Sequence, residues 1–311
     1  MVYMDTEQMS FLNTKPVEKA SKEKVKTIIS ASRRTDIPAF YYDWLQESLK
    51  NGNAEVPNPM FPSQVYSVDL RPENVHSIVL WSKDFSNVAI NPGLLDNYNL
   101  YFQYTINNYS RLLEPNVPEY KAAIHTLELL LKRYSPTCFN IRFDPIIIST
   151  KGETEPDYDV PERARLKAFE ALCRDLKALG MEGGRITTSY VSLYKHVKTR
   201  LKKSGLDYKD LSQGEELKFF SSMAGIADKY DLTIYSCACP VLENVHGIRK
   251  GCCIDGELLE GLFGGRVRKS KDKGQREECG CSYSRDIGIY REDKSGMVCR
   301  HGCVYCYVMG K

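Results

Sequence analysis

The C-terminal stretch from Val298 to Gly310 contains the residues whose types and spacing most directly suggest chemistry. Cys299, Cys303 and Cys306 form a C-x3-C-x2-C array in the string V-C-R-H-G-C-V-Y-C-Y-V-M-G. Three thiolates on one short loop can bind three irons of a [4Fe–4S] cube and leave the fourth iron open to a small molecule. Zinc and a structural cluster are the alternatives, although zinc knuckles usually pair cysteines two residues apart on two loops.

The array resembles the cluster loop of radical S-adenosylmethionine enzymes. The fuller string C-x-H-G-C-x-Y-C-Y is most similar to the spore photoproduct lyase branch of those enzymes. This resemblance implies an enzyme that binds S-adenosylmethionine at the open iron and cleaves it to a 5′-deoxyadenosyl radical. It also implies an external electron donor of the flavodoxin or ferredoxin type. Tyr305, just before the third cysteine, would pack against the adenine.

A second group of cysteines lies between residues 237 and 281. Nine of the eleven cysteines follow residue 236, which indicates metal ligation in the last quarter of the chain. Disulfides explain them poorly, because the cytosol keeps thiols reduced. The layout also resembles an uncharacterised bacterial family described by C-terminal radical-enzyme-like cysteines, over roughly residues 25 to 308. That resemblance implies a second [4Fe–4S] cluster, serving as an electron relay or a brace, with four ligands: Cys237, Cys253, Cys279 and Cys281.

Two alternatives to this ligand set stay open. Cys239 or Cys252 could replace one of the four chosen cysteines, because both lie beside them in the sequence. A four-cysteine zinc site would also brace this segment. Cys138 and Cys173 fall in a predicted strand and a predicted helix, and we expect both to be core residues.

Polar residues at the ends of predicted strands resemble the positions with which photoproduct-lyase-like enzymes hold the cofactor. By that resemblance, Lys83 binds the methionyl carboxylate, and a hydroxyl at the end of the next strand hydrogen-bonds to the ribose. The matching cofactor-binding residues are Ser32, Thr35, Asp36, Lys83, Thr105, Asn107, Arg142, Asp144 and Tyr305. Lys83 could instead be a solvated surface charge, and Arg142 with Asp144 a buried ion pair.

One position departs from the family pattern. Arg33 and Arg34 stand where small residues are expected beside the methionyl group. The two arginines could contact an anionic substrate. The substrate itself is not identified by the sequence.

Apolar segments predict six strands alternating with helices, which is typical of a parallel sheet with helices outside. The strands are Val25 to Ser32, Ser77 to Leu80, Leu100 to Ile106, Cys138 to Ile141, Arg185 to Val191 and Leu232 to Ser236. The helices are Tyr41 to Leu49, Tyr120 to Tyr134, Val160 to Leu179 and Gly214 to Tyr230. Asn51 to Pro62 reads as a loop. In this architecture the site lies at the C-terminal ends of the strands.

A further strand, Asp286 to Tyr290, precedes the cluster loop and is predicted to lie parallel to and beside Val25 to Ser32. Only five residues follow Cys306, so a barrel cannot follow the loop as in ordinary enzymes of this type. The expected fold class is therefore α/β, a circularly permuted partial (β/α) barrel of radical S-adenosylmethionine type with a cysteine-rich C-terminal segment. The predicted parts are a polar lead-in (1–24), the barrel strands and helices (25–236), and the cysteine-rich segment (237–311).

The overall charge of +3 is too small to argue for nucleic acid. Arginine-rich strand ends and twenty tyrosines nevertheless keep nucleic acid open as a substrate or partner. The alternative function is a metal-braced nucleic-acid-binding or repair-associated module without radical chemistry. The basic runs Lys195 to Lys203 and Arg266 to Arg276 are predicted as solvated faces or loops.

The N-terminus lacks the apolar core and basic start of a signal peptide. No stretch approaches the ~18 apolar residues that span a bilayer. We therefore expect a cytoplasmic protein without a membrane partner.

Overall fold

A computed structural model describes residues 24–58, 61, 63–150, 161–289 and 297–308. The predicted polar lead-in lies outside these residues apart from Lys24. The strands are β1 (Val25–Ala31), β2 (Asn53–Pro57), β3 (Val65–Asp69), β4 (Val75–Ser82), β5 (Leu100–Thr105), β6 (Phe139–Arg142), β7 (Ile148–Ser149), β8 (Arg185–Thr188), β9 (Tyr208–Lys209), β10 (Thr233–Cys237), β11 (Ile248–Gly251), β12 (Arg266–Val267) and β13 (Arg285–Asp286).

Eight α-helices connect these strands within the described residues. They are α1 (Ile37–Phe40), α2 (Tyr42–Asn51), α3 (Ser86–Ile90), α4 (Tyr120–Leu131), α5 (Pro161–Ala178), α6 (Lys195–Lys203), α7 (Gln213–Lys229) and α8 (Gly256–Phe263). Short 3-10 helices span Gly93–Asn97, Pro136–Cys138 and Pro240–Asn244. No helix in the described part of the chain is both long and apolar enough to cross a membrane.

Nine of the strands form one parallel sheet in the order β11-β10-β8-β6-β5-β4-β1-β12, with β13 also paired to β1. From β1 to β11 each new strand is added on the same side of the one before it. Parallel strands end at one edge, so this order collects the residues that follow β1, β4, β5, β6, β8 and β10 in one region. The predicted α/β class with a parallel sheet is confirmed.

The two faces of the sheet are covered by different parts of the chain. Alternate residues of a strand point to opposite faces. One face, with Phe102, Tyr104 and Phe139, packs into the large apolar core together with residues of the helices. The other face, with Val79 and Tyr101, packs against the cysteine-rich segment. The predicted cysteine-rich segment is thus a covering layer on the sheet.

The C-terminal part of the chain returns to the first strand. β13 pairs parallel with β1, with Arg285 opposite Ile29 and Asp286 opposite Ser30. The Asp286 carboxylate accepts hydrogen bonds from the hydroxyls of Ser30 and Ser32, both at 2.8 Å. The predicted neighbour relation of the last and first strands is therefore present. The strand itself is shorter than predicted, because residues 287–289 are not in a strand. Tyr290, the predicted end, lies outside the described residues.

The region from Asn51 to Pro62 differs from the predicted loop. β2 and β3 form an antiparallel hairpin with Asn53 opposite Asp69. β2 alternates exposed and buried residues, with Ala54 and Val56 buried, and β3 is mostly exposed. A ribbon with one wet face carries a weaker apolar signal than a strand buried on both faces. For this reason the sequence did not predict the hairpin.

Candidate functional site

One cavity of about 310 Å³ lies at the C-terminal edge of the sheet. Both predicted groups of cysteines line it, which brings seven thiols from distant parts of the sequence to one place. They are Cys237, Cys253, Cys279, Cys281, Cys299, Cys303 and Cys306. The cavity also contacts the polar residues that end the strands. The sequence-predicted residues among these are Ser32, Thr35, Asp36, Lys83, Thr105, Arg142, Asp144 and Tyr305.

Asp36 anchors the C-terminal loop at the mouth of the sheet. Its carboxylate accepts hydrogen bonds from the Ser82 hydroxyl at 2.6 Å and from the Lys83 backbone N–H at 2.9 Å. It also caps α1 through the Ala39 N–H at 3.1 Å. His301 Nε2, between the first two loop cysteines, donates to the same carboxylate at 2.6 Å. Asp36 therefore acts as a buried junction between β1, β4 and the loop.

Other backbone contacts hold the loop in shape. The Val304 N–H donates to the Leu113 carbonyl at 3.0 Å, and the Asn116 N–H donates to the His301 carbonyl at 3.1 Å. Gly302 has a φ of +70°, a left-handed conformation that glycine adopts without strain. These contacts fix the backbone conformation of the loop on either side of Cys303.

A buried polar network lies behind Cys303. Lys83 Nζ donates to Glu114 Oε1 at 2.7 Å, and the Tyr305 hydroxyl donates to the same carboxylate. Asn107 Nδ2 donates to Glu114 at 3.0 Å. Asn107 lines a neighbouring cavity of about 510 Å³ instead of the first. Glu114 therefore ties together three predicted cofactor residues.

The opposite charges of Lys83 and Glu114 stabilise each other's ionised forms. Burial alone would raise the pKa of Glu114, but the Lys83 ammonium and hydrogen bonds from its neighbours lower it below the usual value. Burial alone would lower the pKa of Lys83, but the Glu114 carboxylate raises it. The pair is therefore ionised and buried, and the reading of Lys83 as a solvated surface charge is excluded by its 15% side-chain exposure.

The four cysteines chosen for the auxiliary site form a continuous row. The Sγ atoms of Cys237 and Cys253 lie 3.1 Å apart. Cys281 lies within hydrogen-bonding reach of both Cys253 and Cys279. The cavity is lined by these four residues, whereas Cys239 packs against the main core. Cys252 lies beside Gly280 behind the row. Cys239 and Cys252 are therefore not part of the cavity lining.

Two arginines and a tryptophan form a cationic wall beside this row. The guanidinium groups of Arg33 and Arg142 lie over the Trp81 ring, 5.6 and 5.2 Å from its centre. Arg142 Nη1 donates to Cys253 Sγ at 3.0 Å, and its Nη2 pairs with Asp144. Arg33 Nη2 and Trp81 Nε1 are buried without a hydrogen-bond partner among the described residues. Two donors are thus left for an acceptor in or beside the cavity.

Burial favours the neutral form of the Cys299 and Cys303 thiols in the protein alone. Burial raises the pKa of Cys299 to about 11 and that of Cys303 to about 12. A metal must therefore displace protons from these thiols when it binds. Across the described residues, no group of three or more His, Cys, Asp and Glu side chains converges on a point suited to a single ion.

The roles of several site residues were not predicted from the sequence. Glu114 lies in a loop with no apolar period or motif, and its partner Tyr305 is 191 residues away. His301 stands inside the quoted motif, so its position could have suggested a role in holding the loop. Cys138 and Cys173 pack with the main core as predicted.

Comparison with curated proteins and with solved structures gave no match. A family model described as Domain of unknown function (DUF1848) matches residues 28–308. This match covers both cysteine groups and every strand of the sheet apart from the first residues of β1. The chain therefore belongs to the DUF1848 family.

Proposed function

We propose that this protein is a radical S-adenosylmethionine enzyme with an auxiliary [4Fe–4S] cluster, acting on an unidentified substrate. The single observation that carries the proposal is the convergence of the C-x3-C-x2-C loop and four further cysteines on one cavity. Bound at the loop, a [4Fe–4S] cluster with an open iron would supply reductive cleavage of S-adenosylmethionine to a 5′-deoxyadenosyl radical.

The proposed architecture is a permuted partial (β/α) barrel. Support comes from the stepwise order of the parallel strands and from the pairing of β13 with β1. Because the loop follows β13, it reaches the same edge as the residues after β1 and β4. Chemistry depends on which strand ends converge, so the order of the strands along the chain does not affect it.

The residues of the loop fit a cluster with three protein ligands. Cys299, Cys303 and Cys306 line the cavity, and Asp36 with His301 fixes the turn between the first two. A cubane binds each cysteine at a different iron, so its ligands need not converge on one point. The lack of a single-ion site among the described residues is compatible with this arrangement.

The auxiliary row fits a polyanionic metal centre. Four thiolates beside Arg33 and Arg142 would have their charge balanced by the two guanidinium groups, and donors such as Trp81 Nε1 suit sulfur acceptors. A zinc ion held by four thiols is the alternative, although no three His, Cys, Asp or Glu side chains among the described residues converge on one ion. A count of iron and zinc therefore separates a cluster from a zinc brace at this position.

The cofactor side of the cavity contains Lys83, Thr105 and Tyr305. Lys83 carries three ammonium protons, of which one is donated to Glu114. The ammonium can therefore also meet a methionyl carboxylate. Tyr305 is buried and bonded through its hydroxyl, so its ring would offer an edge or a face, not a hydrogen bond, to the adenine.

The test is formation of 5′-deoxyadenosine from S-adenosylmethionine under anaerobic conditions with dithionite as reductant. We expect the wild type to form it and Cys306→Ala to form none, because one iron loses its thiolate. Cys138→Ala, a matched change in a cysteine of the main core, should keep the activity. Product formation by Cys306→Ala at the wild-type rate would overturn the proposal.

A further inference from the structure

Helix α6 is anchored directly to the C-terminal loop. Its buried residues Val197 and Leu201 share an apolar cluster with Cys303 and Tyr305. Arg200 Nε donates to the Val304 carbonyl at 3.0 Å, and its Nη2 donates to the Cys306 carbonyl. The helix therefore lies immediately outside the loop that carries the three cysteines.

The outer side of this helix is strongly basic. The exposed lysines of the α6 basic face are Lys195, Lys198, Lys202 and Lys203. The helix, K-H-V-K-T-R-L-K-K, contains no acidic residue. None of these four lysines has an ion-pair partner within the described part of the chain. Lysines in the last turn complement the helix dipole, but that effect does not explain Lys195 and Lys198 in the first half.

Exposed aromatic residues stand beside the basic face. Tyr194 is 45% exposed and Tyr307 is 50% exposed. Both line the cavity, and Tyr307 directly follows Cys306. His196, stacked on Tyr194, donates from Nε2 to the Tyr307 carbonyl at 3.2 Å. Aromatic residues within a charged rim are typical of protein–protein contact surfaces.

Resting on the proposed function, we propose that α6 is the docking surface for an acidic electron-carrier protein of the flavin or iron–sulfur type. The reduced carrier would pass one electron to the cluster proposed at the C-terminal loop and would itself be oxidised by one electron. Charge complementarity selects an acidic partner, and the contact of α6 with the loop gives the electron a short path. A nine-residue helix is about 13 Å long, which suits the small interfaces of electron-transfer encounters.

Nucleic acid is the other anionic partner that a basic face could bind. The electron carrier is favoured because the α6 basic face is a single short helix whose anchors end on the cysteine loop. A nucleic-acid surface usually follows the phosphate backbone with many cations. The experiment below includes this partner as an outcome.

The test compares two charge-reversal variants that change the net charge equally. Lys198→Glu/Lys202→Glu alters the α6 basic face. Lys218→Glu/Lys229→Glu alters exposed lysines of α7, a helix that packs on α5 and β10. The probe is a purified bacterial flavodoxin. Its affinity for the protein is measured by calorimetry in the oxidised state, and the rate of cluster reduction is measured by stopped flow in the reduced state.

We expect the α6 variant to lose about tenfold or more in affinity and in reduction rate at low ionic strength. The α7 variant should behave like the wild type, and dithionite should reduce all three proteins equally. The wild-type rate should fall as salt is added, whereas the rate of the α6 variant should not.

Equal flavodoxin affinity and rate in all three proteins would overturn the proposal. So would an α6 variant that loses affinity only for a single-stranded oligonucleotide. If dithionite gives no cofactor cleavage in the wild type, the proposed function fails instead. The binding comparison needs no cluster and would still decide whether α6 is the docking surface.

Discussion

At the scale of single residues, two buried carboxylates organise the site. Asp36 joins α1, β4 and His301, and Glu114 joins Lys83, Asn107 and Tyr305. In each carboxylate at least one oxygen already accepts hydrogen bonds from the protein, so neither group is fully available to a ligand. Both are therefore best understood as positioning residues that fix the side chains around the loop.

The first prediction concerns Glu114. Glu114→Gln keeps the shape of the side chain but leaves the Lys83 ammonium buried beside a neutral amide. Removing one partner of a buried pair typically costs about 3–5 kcal/mol. We expect a loss of this order in the free energy of unfolding, measured by urea denaturation.

A matched control exists at Glu119, whose pair with Arg111 has side-chain exposures of 80% and 56%. Glu119→Gln should cost less than about 1 kcal/mol. The double variant Lys83→Met/Glu114→Gln should recover much of the loss, because it removes both charges. Equal losses for Glu114→Gln and Glu119→Gln would contradict the network described here.

The grouping of the cysteines could be predicted from the sequence, and the residues that support them could not. Spacing alone marked Cys299, Cys303 and Cys306 as one unit. Glu114 has no such signal, because its function depends on a fold that brings residues 191 positions apart together. The same holds for Trp81, whose role beside Arg33 and Arg142 appears only when two strand ends meet.

At the scale of elements, the long strands were predictable because they are buried on both faces. Most residues of β1, β4 and β5 are buried, as expected of a parallel sheet. β11 and β12, which span four and two residues, were not predicted, whereas β13 was predicted through its start at Asp286 and its place beside β1. The position of β12 beside β1 is set by tertiary contacts that its two residues do not encode.

The second prediction tests the junction of β13 and β1. A Cβ atom on Gly288 would lie 1.8 Å from Ser32 Oγ and 2.5 Å from Ser32 Cβ. Gly288→Ala should therefore force the segment before the loop away from β1, at a cost of about 1–3 kcal/mol. Limited proteolysis should then cut the C-terminal segment faster than in the wild type.

Gly225→Ala in α7 is the control, because a Cβ atom there meets nothing within 4 Å. Alanine is the better helix former, so this variant should gain about 0.5–1 kcal/mol. An unchanged proteolysis pattern and stability in Gly288→Ala would mean that β13 does not lie against β1.

The third prediction concerns the start of α7. Ser212 and Glu215 form a capping box, and Lys209 pairs with Glu215 at 2.8 Å. Hydrogen bonds from Lys209 and Ser212 lower the pKa of Glu215 to about 2. A lowered folded-state pKa stabilises the protein above the unfolded value of about 4.3 and loses that effect as the pH falls.

The stability difference between the wild type and Glu215→Gln should therefore be largest above about pH 5 and shrink towards pH 2. Thermal unfolding across this range measures it. A difference of the same size at every pH would show that the carboxylate charge contributes nothing to the cap.

At the scale of the whole molecule, both ends of the described chain meet at the site. Asp36 and His301 are 265 positions apart and share a hydrogen bond. The cysteine-rich segment covers the sheet face that the helices leave open. The sequence predicted that seven cysteines bind metal and that the site lies at the strand ends. It could not predict that one cavity contains both groups.

The fourth prediction tests the central claim most directly. It is the count of iron, zinc and acid-labile sulfide in anaerobically reconstituted protein. We predict about eight irons in the wild type, from two cubane clusters. The triple variant Cys299→Ala/Cys303→Ala/Cys306→Ala should keep about four, because the auxiliary row is intact. A triple variant with the full wild-type iron content, or a wild type that binds zinc without sulfide, would contradict the account.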